Sequence, residues 1–430
     1  MTYDEAISYL YDRLPVFHRV GVSAYKPGLA NSLALCAELG DPHYQFRSIH
    51  VAGTNGKGST SHLLASILQS AGYRVGLYTS PHLKSFTERI RINGQPIDEG
   101  EVAQFVASHQ ALIERVQPSF FEVTVAMAFA YFAQQQVDVA VVEVGLGGRL
   151  DSTNIITPLL SVITNIGWDH MDVLGNTLAQ IAAEKAGIIK PGVPVVIGEE
   201  HPETEPVFRQ VAAQHQARLV KAERIYQCMN AGLVEGYRLV TCRRVGAGPA
   251  ELSIRLPLLG LYQLRNLQTV LTALDELSGA FVITRQAIEQ GCERVVAQTQ
   301  LKGRFQWLQA EPLVIADTAH NKPGVSALMD TVQSLPYRRL HLIVGFVRDK
   351  DVSSVLKLFP ADAHYYFCQA AQPRALSTDE LLVLAQSIGL IGMGFTNVNE
   401  ALAEALQQAA ADDLILITGS TYVVAELTNL

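Results

Sequence analysis

The fold is indicated by residues 48–60, which read Ser48-Ile49-His50-Val51-Ala52-Gly53-Thr54-Asn55-Gly56-Lys57-Gly58-Ser59-Thr60. A β-type apolar run leads into a glycine-rich turn, and a lysine, two hydroxyl residues and an apolar helical pattern follow. Glycines let backbone N–H groups approach phosphate oxygens, the helix N-terminus adds positive potential, and Lys57 adds a full charge. The stretch therefore predicts a phosphate-binding loop between a strand and a helix, with a hydroxyl of Ser59 or Thr60 near a phosphate-bound Mg²⁺.

The loop departs from the standard P-loop pattern, which has a glycine five residues before Gly56. Val51 stands at that position, and the additional Gly58 separates Lys57 from Ser59. A purely structural glycine-rich turn is the alternative interpretation, but the strand-to-helix context favours phosphate binding.

Outside the loop, short runs rich in valine and isoleucine alternate with helical patterns, as is typical of buried parallel strands and their crossovers. The predicted strands are Arg47–Ala52, Val137–Val144, Leu160–Asn165, Val193–Ile197, Leu313–Asp317, Leu340–Val344 and Leu414–Thr418. The predicted helices are Ser59–Ser70, Gly100–Val116, Glu122–Gln135, Thr177–Gly187, Gly324–Ser334, Thr378–Ser387 and Asn399–Ala411. This alternation predicts a doubly wound α/β architecture.

The middle of the chain has a different pattern. Residues 218–256 carry β-type segments with glycine-rich turns, which predict an antiparallel edge on the first sheet. Two helices are predicted after it, Leu261–Leu277 and Thr284–Arg294, and a new strand–helix series starts at Leu313. We therefore expect a domain boundary near Gln298, with a large P-loop-type domain over residues 1–298 and a smaller Rossmann-like α/β domain over residues 299–430.

The composition is that of a globular protein of two or three domains, since 48% of the 430 residues are hydrophobic and 17% are charged. A formal net charge of −8 argues against nucleic acid as a partner, although a small anion can still bind a local cationic pocket. No apolar run approaches the length of a membrane span, and the N-terminus lacks the pattern of a signal peptide. The sequence therefore predicts no membrane association.

The cysteines are scattered and never form a C-x-x-C pair. The five are Cys36, Cys228, Cys242, Cys292 and Cys368. This pattern predicts five reduced, mostly buried thiols in a cytoplasmic protein rather than a disulfide framework or a zinc site.

Five further segments resemble, together with the loop and in the same order, the signatures of the folylpolyglutamate synthase/dihydrofolate synthase family of the Mur ligase superfamily. They are Thr79–Leu83, Glu143–Asp151, Ile163–His170, Ala183–Lys190 and Asp317–Asn321. The resemblance covers most of the chain. It implies that the loop binds ATP through Gly53, Thr54, Asn55, Gly56, Lys57, Gly58, Ser59 and Thr60.

A metal site is indicated at Glu143, because a carboxylate at the C-terminal end of a parallel strand points into the ligand crevice of a doubly wound sheet and suits Mg²⁺. A carboxylate that caps the next helix is the alternative. The resemblance implies that Ser80, Glu143 and His170 bind Mg²⁺. It also implies that Lys185 is carbamylated and binds a second Mg²⁺ near the γ-phosphate.

The resemblance also implies ATP contacts further along the chain, at Asn266, Arg304 and Asp317. His320 is expected to contact phosphate or the incoming amino acid, and Asp317 to bind the ribose or to position the catalytic loop. Three positions depart from the family pattern: Tyr262 replaces a common histidine, Thr318 a glycine and Lys322 a proline. From the residues alone, Asn266 could equally be a polar residue at a helix N-terminus, and Arg304 could form a salt bridge between domains.

The substrate end has weaker signals. Segments 19–21 and 24–29 resemble the part of the family that contacts the pterin, and Phe121 could stack on a flat heterocycle or serve as a core residue. The residues implied as substrate contacts are Pro27, Gly28, Leu29, Ser119, Phe121, Asp151 and Ser152, with Ser420 near the glutamate site.

ATP, two metal sites and an amino-acid site imply amide-bond formation. The resemblance implies that a folate carboxylate attacks the γ-phosphate of ATP, and that the amine of L-glutamate then attacks the acyl phosphate. Lys57, Lys185, Asp317 and His320 are the expected catalytic residues, in a monomeric enzyme that acts on folates and on dihydropteroate. The alternatives are a cell-wall Mur ligase acting on a UDP-muramoyl substrate and a non-catalytic nucleotide-binding regulator.

Overall fold

The computed structural model consists of two compact units, and its described residues form three sheets, two in the first unit and one in the second. The structure describes residues 1–16, 21, 28–246, 251–348 and 350–430. The first unit comprises Met1–Pro257 and Gln263–Leu301, and the second comprises Leu258–Tyr262 and Lys302–Leu430.

The first unit is built on an eight-stranded sheet of order β4-β3-β2-β5-β1-β6-β7-β8. Its strands are β1 (Arg47–Ala52), β2 (Val75–Tyr78), β3 (Ile90–Ile92), β4 (Gln95–Pro96), β5 (Val139–Glu143), β6 (Leu160–Ile163), β7 (Val195–Ile197) and β8 (Leu219–Lys221). Strands β2, β5, β1, β6, β7 and β8 run parallel, and β3 and β4 add an antiparallel edge. Parallel strands need helical crossovers on the sheet faces, which explains why β2, β5 and β6 are mostly apolar.

Helices cover both faces of this sheet. They are α1 (Tyr3–Arg13), α2 (Ala30–Glu38), α3 (Lys57–Ser70), α4 (Glu99–Val116), α5 (Phe120–Gln134), α6 (Met171–Leu174), α7 (Leu178–Ala186), α8 (Glu205–Gln214), α9 (Ala222–Ile225), α10 (Gln263–Leu277), α11 (Arg285–Glu293) and α12 (Val295–Thr299). Apolar residues of α1, α2, α4 and α5 pack on one part of the sheet, and those of α7 and α8 pack beside β6 and β7. Because β2, β5, β1 and β6 are neighbouring parallel strands, their carboxyl ends lie side by side at one edge of the sheet.

The middle of the chain corrects one expectation. Strand β8 continues the first sheet in parallel, whereas β9 (Tyr226–Val234), β10 (Tyr237–Arg244) and β11 (Glu251–Leu256) form a separate antiparallel sheet of order β11-β10-β9. The turn at Glu235-Gly236, where both residues have positive φ, folds β9 directly onto β10. These strands therefore pair with one another and do not extend the first sheet.

The expectation of five reduced cysteines is also wrong, because Cys228 and Cys242 form a disulfide. The antiparallel register of β9 and β10 places these two residues directly opposite each other, with a Cα–Cα distance of 4.2 Å. The pairing depends on the register of the hairpin, which the cysteine spacing does not reveal. Cys36, Cys292 and Cys368 are buried free thiols.

The second unit contains a six-stranded sheet of order β12-β13-β17-β14-β15-β16. Its strands are β12 (Gln306–Gln309), β13 (Leu313–Ala316), β14 (Leu340–Val344), β15 (His364–Cys368), β16 (Gly392–Phe395) and β17 (Leu414–Thr418). All neighbouring pairs are parallel except β12 with β13. Its helices are α13 (Lys322–Gln333), α14 (Val352–Leu356), α15 (Thr378–Ser387), α16 (Val398–Gln408) and α17 (Thr421–Ala425).

The expected fold class, a mostly parallel P-loop-type sheet followed by a smaller Rossmann-like α/β region, is confirmed. Within the described parts of the chain, no helix has the length and apolar character that crossing a membrane requires.

Candidate active site

The glycine-rich loop joins β1 to α3, as the sequence predicts. Gly53 and Gly56 have φ values of 148° and 81°, a region of backbone conformation that side chains disfavour. A Cβ atom at Gly53 would lie 1.8 Å from Oγ1 of Thr164, and one at Gly56 would lie 2.3 Å from Oδ1 of Asn266. Both glycines are therefore required by backbone geometry and by close neighbours.

Two lysines meet at this loop. Nζ of Lys57 donates to the carbonyl oxygens of Gly53 (3.0 Å) and Thr54 (3.1 Å), and Nζ of Lys185 donates to the same Gly53 oxygen (2.9 Å). Lys185 reaches the loop because Ala182 and Ala186 pack α7 against the sheet. Its side chain is buried and not in contact with bulk solvent, although lysines on helices are usually exposed.

The amine of Lys185 is easily deprotonated. Burial, reinforced by the positive charge of Lys57, lowers the pKa of Lys185 to about 7. A large fraction of this amine is therefore neutral at physiological pH, which is the form that reacts as a nucleophile.

Ser80 and Glu143 lie together at the carboxyl ends of β2 and β5. The backbone N–H of Ser80 donates to Oε2 of Glu143 at 3.1 Å. Sequence reasoning missed a third member, Arg89, which donates from Nη1 to Oγ of Ser80 (2.8 Å) and from Nε to Nδ1 of His82 (2.7 Å). Arg89 is 1% exposed and its guanidinium lies over the ring of Phe120, so the serine hydroxyl is held by a buried cation.

His170 follows β6 and begins α6 with a positive φ of 50°. Its Nε2 lies 3.8 Å from Oδ2 of Asp169. That His170 binds a metal ion together with Ser80 and Glu143 stays a prediction. Among the described residues, no cluster of three or more histidine, cysteine, aspartate or glutamate side chains could hold a metal ion.

A Ser80–Glu143 pair nevertheless fits Mg²⁺, which binds in nucleotide sites through one or two protein oxygens and completes its shell with phosphate oxygens and water. Glu143 supplies a carboxylate and Ser80 a hydroxyl at the same edge of the sheet.

Asn165 lies in the motif Ile163–His170, two residues after the end of β6, and the sequence alone gave it no role. Its Oδ1 accepts the backbone N–H of Asn55 (2.9 Å), and its Nδ2 donates to Glu199 (2.9 Å), which also accepts from Arg265. These hydrogen bonds fix the side-chain amide of Asn165 against the phosphate loop. Asn266 lies on the other side of Gly56 and donates to Oε1 of Gln263 at 2.8 Å, while Gln263 donates to Ser59.

In the second unit, Asp317 follows β13 and is 3% exposed. Its carboxylate accepts from the Tyr262 hydroxyl (2.6 Å) and from the backbone N–H groups of Phe305 and Ala319 (2.8 Å each). Burial raises the pKa of Asp317, against the opposing effect of these donors. The carboxylate thus orders its own loop, and the departure at Tyr262 supplies one of the donors.

The neighbouring predicted residues of this unit are also engaged within it. Arg304 donates to the hydroxyl of Thr318, the residue that replaces the family glycine, and Nδ1 of His320 lies 3.0 Å from the Thr318 carbonyl oxygen. Ser420 is the N-cap of α17 and accepts the Tyr422 N–H at 3.2 Å.

Most of the predicted substrate residues lie in the described part of the chain, and Pro27 lies outside it. Phe121 is half-buried and packs against the backbone after β5, since a Cβ at Gly145 would lie 2.4 Å from its Cζ. Ser119 caps α5 in a capping box with Glu122, and Leu29 is the N-cap residue of α2. Gly28 has a φ of 124° with open space around it, whereas Pro27 and the segments 19–20 and 24–26 lie outside the described residues.

Comparison with known proteins decides the family. Residues 51–274 match the Mur ligase middle domain, and residues 303–421 match the glutamate ligase domain of Mur ligases. The dihydrofolate synthase/folylpolyglutamate synthase of Bacillus subtilis is 34% identical over 437 residues, covering 99% of this chain and 98% of that protein. The chain belongs to the folylpolyglutamate synthase/dihydrofolate synthase family.

Solved structures agree with this family assignment. The Mycobacterium tuberculosis folylpolyglutamate synthase complexed with ADP superimposes with a TM-score of 0.87 at 31% identity, covering 98% of this chain and 96% of that one. Escherichia coli FolC in complex with DHPP and ADP gives a TM-score of 0.85 at 31% identity, covering 99% and 96%. Complexes of family members with ADP and AMPPCP support ATP as the nucleotide of this family.

Proposed function

We propose that the chain is an ATP-dependent ligase that joins L-glutamate by an amide bond to dihydropteroate and to reduced folates. The observation that carries the proposal is the meeting of Lys57 and Lys185 at the Gly53 carbonyl. Two amines on one phosphate-loop oxygen form a polyphosphate site, and Ser80 and Glu143 supply metal-binding oxygens at the same edge of the sheet.

In this mechanism the folate carboxylate attacks the γ-phosphorus of ATP, which gives an acyl phosphate and ADP. The amine of glutamate then adds to the acyl carbon, phosphate leaves with the C–O bond electrons, and the amine loses a proton. Lys57 binds and neutralises phosphate oxygens, while the glycine-rich loop supplies N–H donors around them. When bound, Mg²⁺ supplies further charge neutralisation at the phosphates, and Ser80, Glu143 and His170 are the residues that would hold it.

Lys185 takes part as a carbamate in this proposal. A neutral Nζ attacks the carbon of CO₂, the N–C bond forms, and one proton is released, so that a buried amine becomes an anion with two oxygens. The lowered pKa of Lys185 supports the step, because it makes the neutral amine available near pH 7. The carbamate would hold a second Mg²⁺.

The second unit contributes Asp317, His320, Arg304 and Ser420 to the proposal. Asp317 shapes the loop that carries His320, and the role proposed for His320 is to contact phosphate or the amino acid. The match of residues 303–421 to the glutamate ligase domain of Mur ligases supports placing glutamate binding in this unit.

The test is ADP release by the purified chain with ATP, Mg²⁺ and L-glutamate, after addition of dihydropteroate, tetrahydrofolate or a UDP-muramoyl peptide. We expect release with each pteridine and a product larger by one glutamate in the mass spectrum. ADP release with the UDP-muramoyl peptide alone would contradict the proposal. ADP release with none of the three substrates would favour a non-catalytic nucleotide-binding protein. Lys57→Gln should abolish release, whereas the exposed Lys357→Gln should not.

A further inference from the structure

A buried histidine lies on the strand that leads into the phosphate loop. His50 on β1 is 0% exposed, and its Nε2 lies 2.8 Å from Oγ1 of Thr153. Thr153 in turn donates from Oγ1 to Oδ1 of Asp151 at 2.5 Å. Both Thr153 and Asp151 are buried, so these three side chains form one hydrogen-bonded chain away from solvent.

The directions of these hydrogen bonds are fixed by their neighbours. Oδ1 of Asp151 accepts the Thr153 N–H (3.0 Å) and Oδ2 accepts the Leu146 N–H (2.8 Å), so this carboxylate acts as an acceptor at both oxygens. The Thr153 hydroxyl must then give its only proton to Asp151, which leaves its lone pairs for a donor. His50 is therefore the donor, protonated at Nε2.

The protonation state of His50 agrees with this direction. Burial, with a contribution from Lys190, lowers the pKa of His50 to about 3, so the ring is neutral with a single N–H. Nδ1 has no hydrogen-bond partner among the described residues. The one proton of the imidazole is thus committed to Thr153.

The hydrogen-bonded series from His50 through Thr153 ends at Asp151, whose carboxylate contacts the loop that follows Glu143. Besides Leu146, the N–H of Gly145 faces the Asp151 carboxylate. The same glycine packs against the end of the Phe121 ring, since a Cβ at Gly145 would lie 2.4 Å from Cζ of Phe121. Asp151 thereby holds the backbone on which Phe121 rests. A carboxylate has about four acceptor positions, and those of Asp151 are taken up by this loop and by Thr153.

We infer that His50 is a positioning residue for pteridine binding, acting through Thr153 and Asp151 on the Gly145–Leu146 backbone and on Phe121. The inference rests on the proposed function. The position of His50 on β1 would allow it to support either the phosphate loop that follows β1 or the group formed by Gly145, Leu146 and Phe121. The hydrogen bonds of His50 connect it, through Thr153 and Asp151, to this second group.

The test compares Michaelis constants in Thr153→Val, which keeps the side-chain shape and removes the hydroxyl, with those in Thr153→Ser, which keeps the hydroxyl. Loss of a buried hydrogen bond corresponds to about a tenfold change in affinity. We expect Thr153→Val to raise the KM for dihydropteroate about tenfold and to leave the KM for ATP within about twofold. Thr153→Ser should stay near the unaltered enzyme in both.

The histidine is tested in the same way. His50→Leu should reproduce the effect of Thr153→Val, and His50→Gln, whose amide N–H can still donate, should restore at least part of the affinity. Because the two residues act in one chain, the double variant should bind dihydropteroate no more weakly than the weaker single variant. His43→Leu, which replaces another buried histidine of the same unit, should leave the KM for dihydropteroate unchanged.

Calorimetric titration of dihydropteroate into ADP-loaded protein gives a readout that does not require turnover, and thermal unfolding shows whether each variant is folded. A rise in the KM for ATP with unchanged pteridine affinity would overturn the inference in favour of phosphate-loop support. Equal affinity in Thr153→Val and the unaltered chain would also overturn it. Absence of ADP release from the unaltered chain would instead contradict the proposed function.

Discussion

At the scale of single residues, the most consequential arrangement is the pair of lysines on the Gly53 carbonyl. Lys57 is expected from its motif, whereas the surroundings of Lys185 come only from the packing of α7. An isolated lysine in a helix keeps its charge near neutral pH, but burial beside a second cation removes that preference.

Carbamylation of Lys185 gives a pH-dependent prediction. The folded pKa is lowered to about 7, so the neutral amine is scarce below that pH and predominates above it. We expect enzyme depleted of CO₂ to recover activity on addition of bicarbonate, with a larger carbamylated fraction at pH 8 than at pH 6. Native mass spectrometry, with Lys190→Gln as the matched lysine control, measures the added CO₂.

Lys185→Ala should lose turnover, and a small carboxylic acid in the vacated space should restore part of it. An unmodified amine in ATP-bound protein at pH 8, or full activity in Lys185→Ala, would contradict the carbamate.

Residue identity predicted the candidate site only where the chemistry is carried by the residue type itself. Lys57, Ser80 and Glu143 lie where their motifs indicate. Arg89 and Asn165 gave no signal, because their roles depend on neighbours that are distant in sequence, such as Ser80 and Asn55. The substrate contact that the family resemblance implies for Asp151 stays a prediction, and the hydrogen bonds of its carboxylate to loop N–H groups and to Thr153 could not be read from the motif.

At the scale of elements, the strand–loop–helix unit from β1 to α3 depends on its glycines. Gly56→Ala would place a methyl group against the Asn266 amide and force an alanine into the left-handed region. We expect ADP affinity, measured by calorimetry, to fall at least about tenfold, since a displaced side chain and backbone strain together exceed about 1.4 kcal/mol.

Gly192→Ala is the control for that change. Gly192 has a φ of 70°, and no atom lies within 4 Å of the position that an alanine methyl group would occupy, so the substitution adds the same kind of strain without the clash. An ADP affinity that falls equally in both variants would show that the contact with Asn266 is unimportant.

Several elements were predicted closely from the sequence. Strands β1, β14 and β17 and helix α15 begin and end at the predicted residues. The strands β2 and β15 were not among those predicted, because runs of only four or five residues carry too little pattern to identify a strand. The separate sheet β9–β11 and its disulfide were not predicted, because local composition does not determine the register of a hairpin.

At the scale of the whole molecule, acid stability should depend on a buried carboxylate in the second unit. Burial alone would raise the pKa of Asp413, but the Ala410 N–H and the Arg338 guanidinium outweigh it and lower the pKa to about 2. In the unfolded chain this carboxyl protonates near pH 4. Between these values the unfolded state binds more protons, so stability is present above about pH 4 and is lost as the pH falls towards 2.

We therefore expect the free energy of unfolding to lose about 1–2 kcal/mol from this group between pH 5 and pH 2.5, with a flatter profile in Asp413→Asn. Urea denaturation at the two pH values measures the difference. Asp412→Asn, at the exposed neighbour of Asp413, is the matched control and should keep the original slope. An identical slope in Asp413→Asn and the unaltered chain would contradict the assignment.

The strand order β2-β5-β1 of the first sheet also has a consequence for the time course of synthesis. Strands β1 and β2 both pair with β5 and not with each other, yet β5 is made only after α4 and α5. A ribosome therefore releases the strand of the phosphate loop well before the strands that flank it in the sheet. During that interval β1 lacks both of its neighbours, β5 and β6, and β2 lacks β5. A gene cut between α4 and α5 would separate these partners into two fragments, neither of which could close the sheet alone.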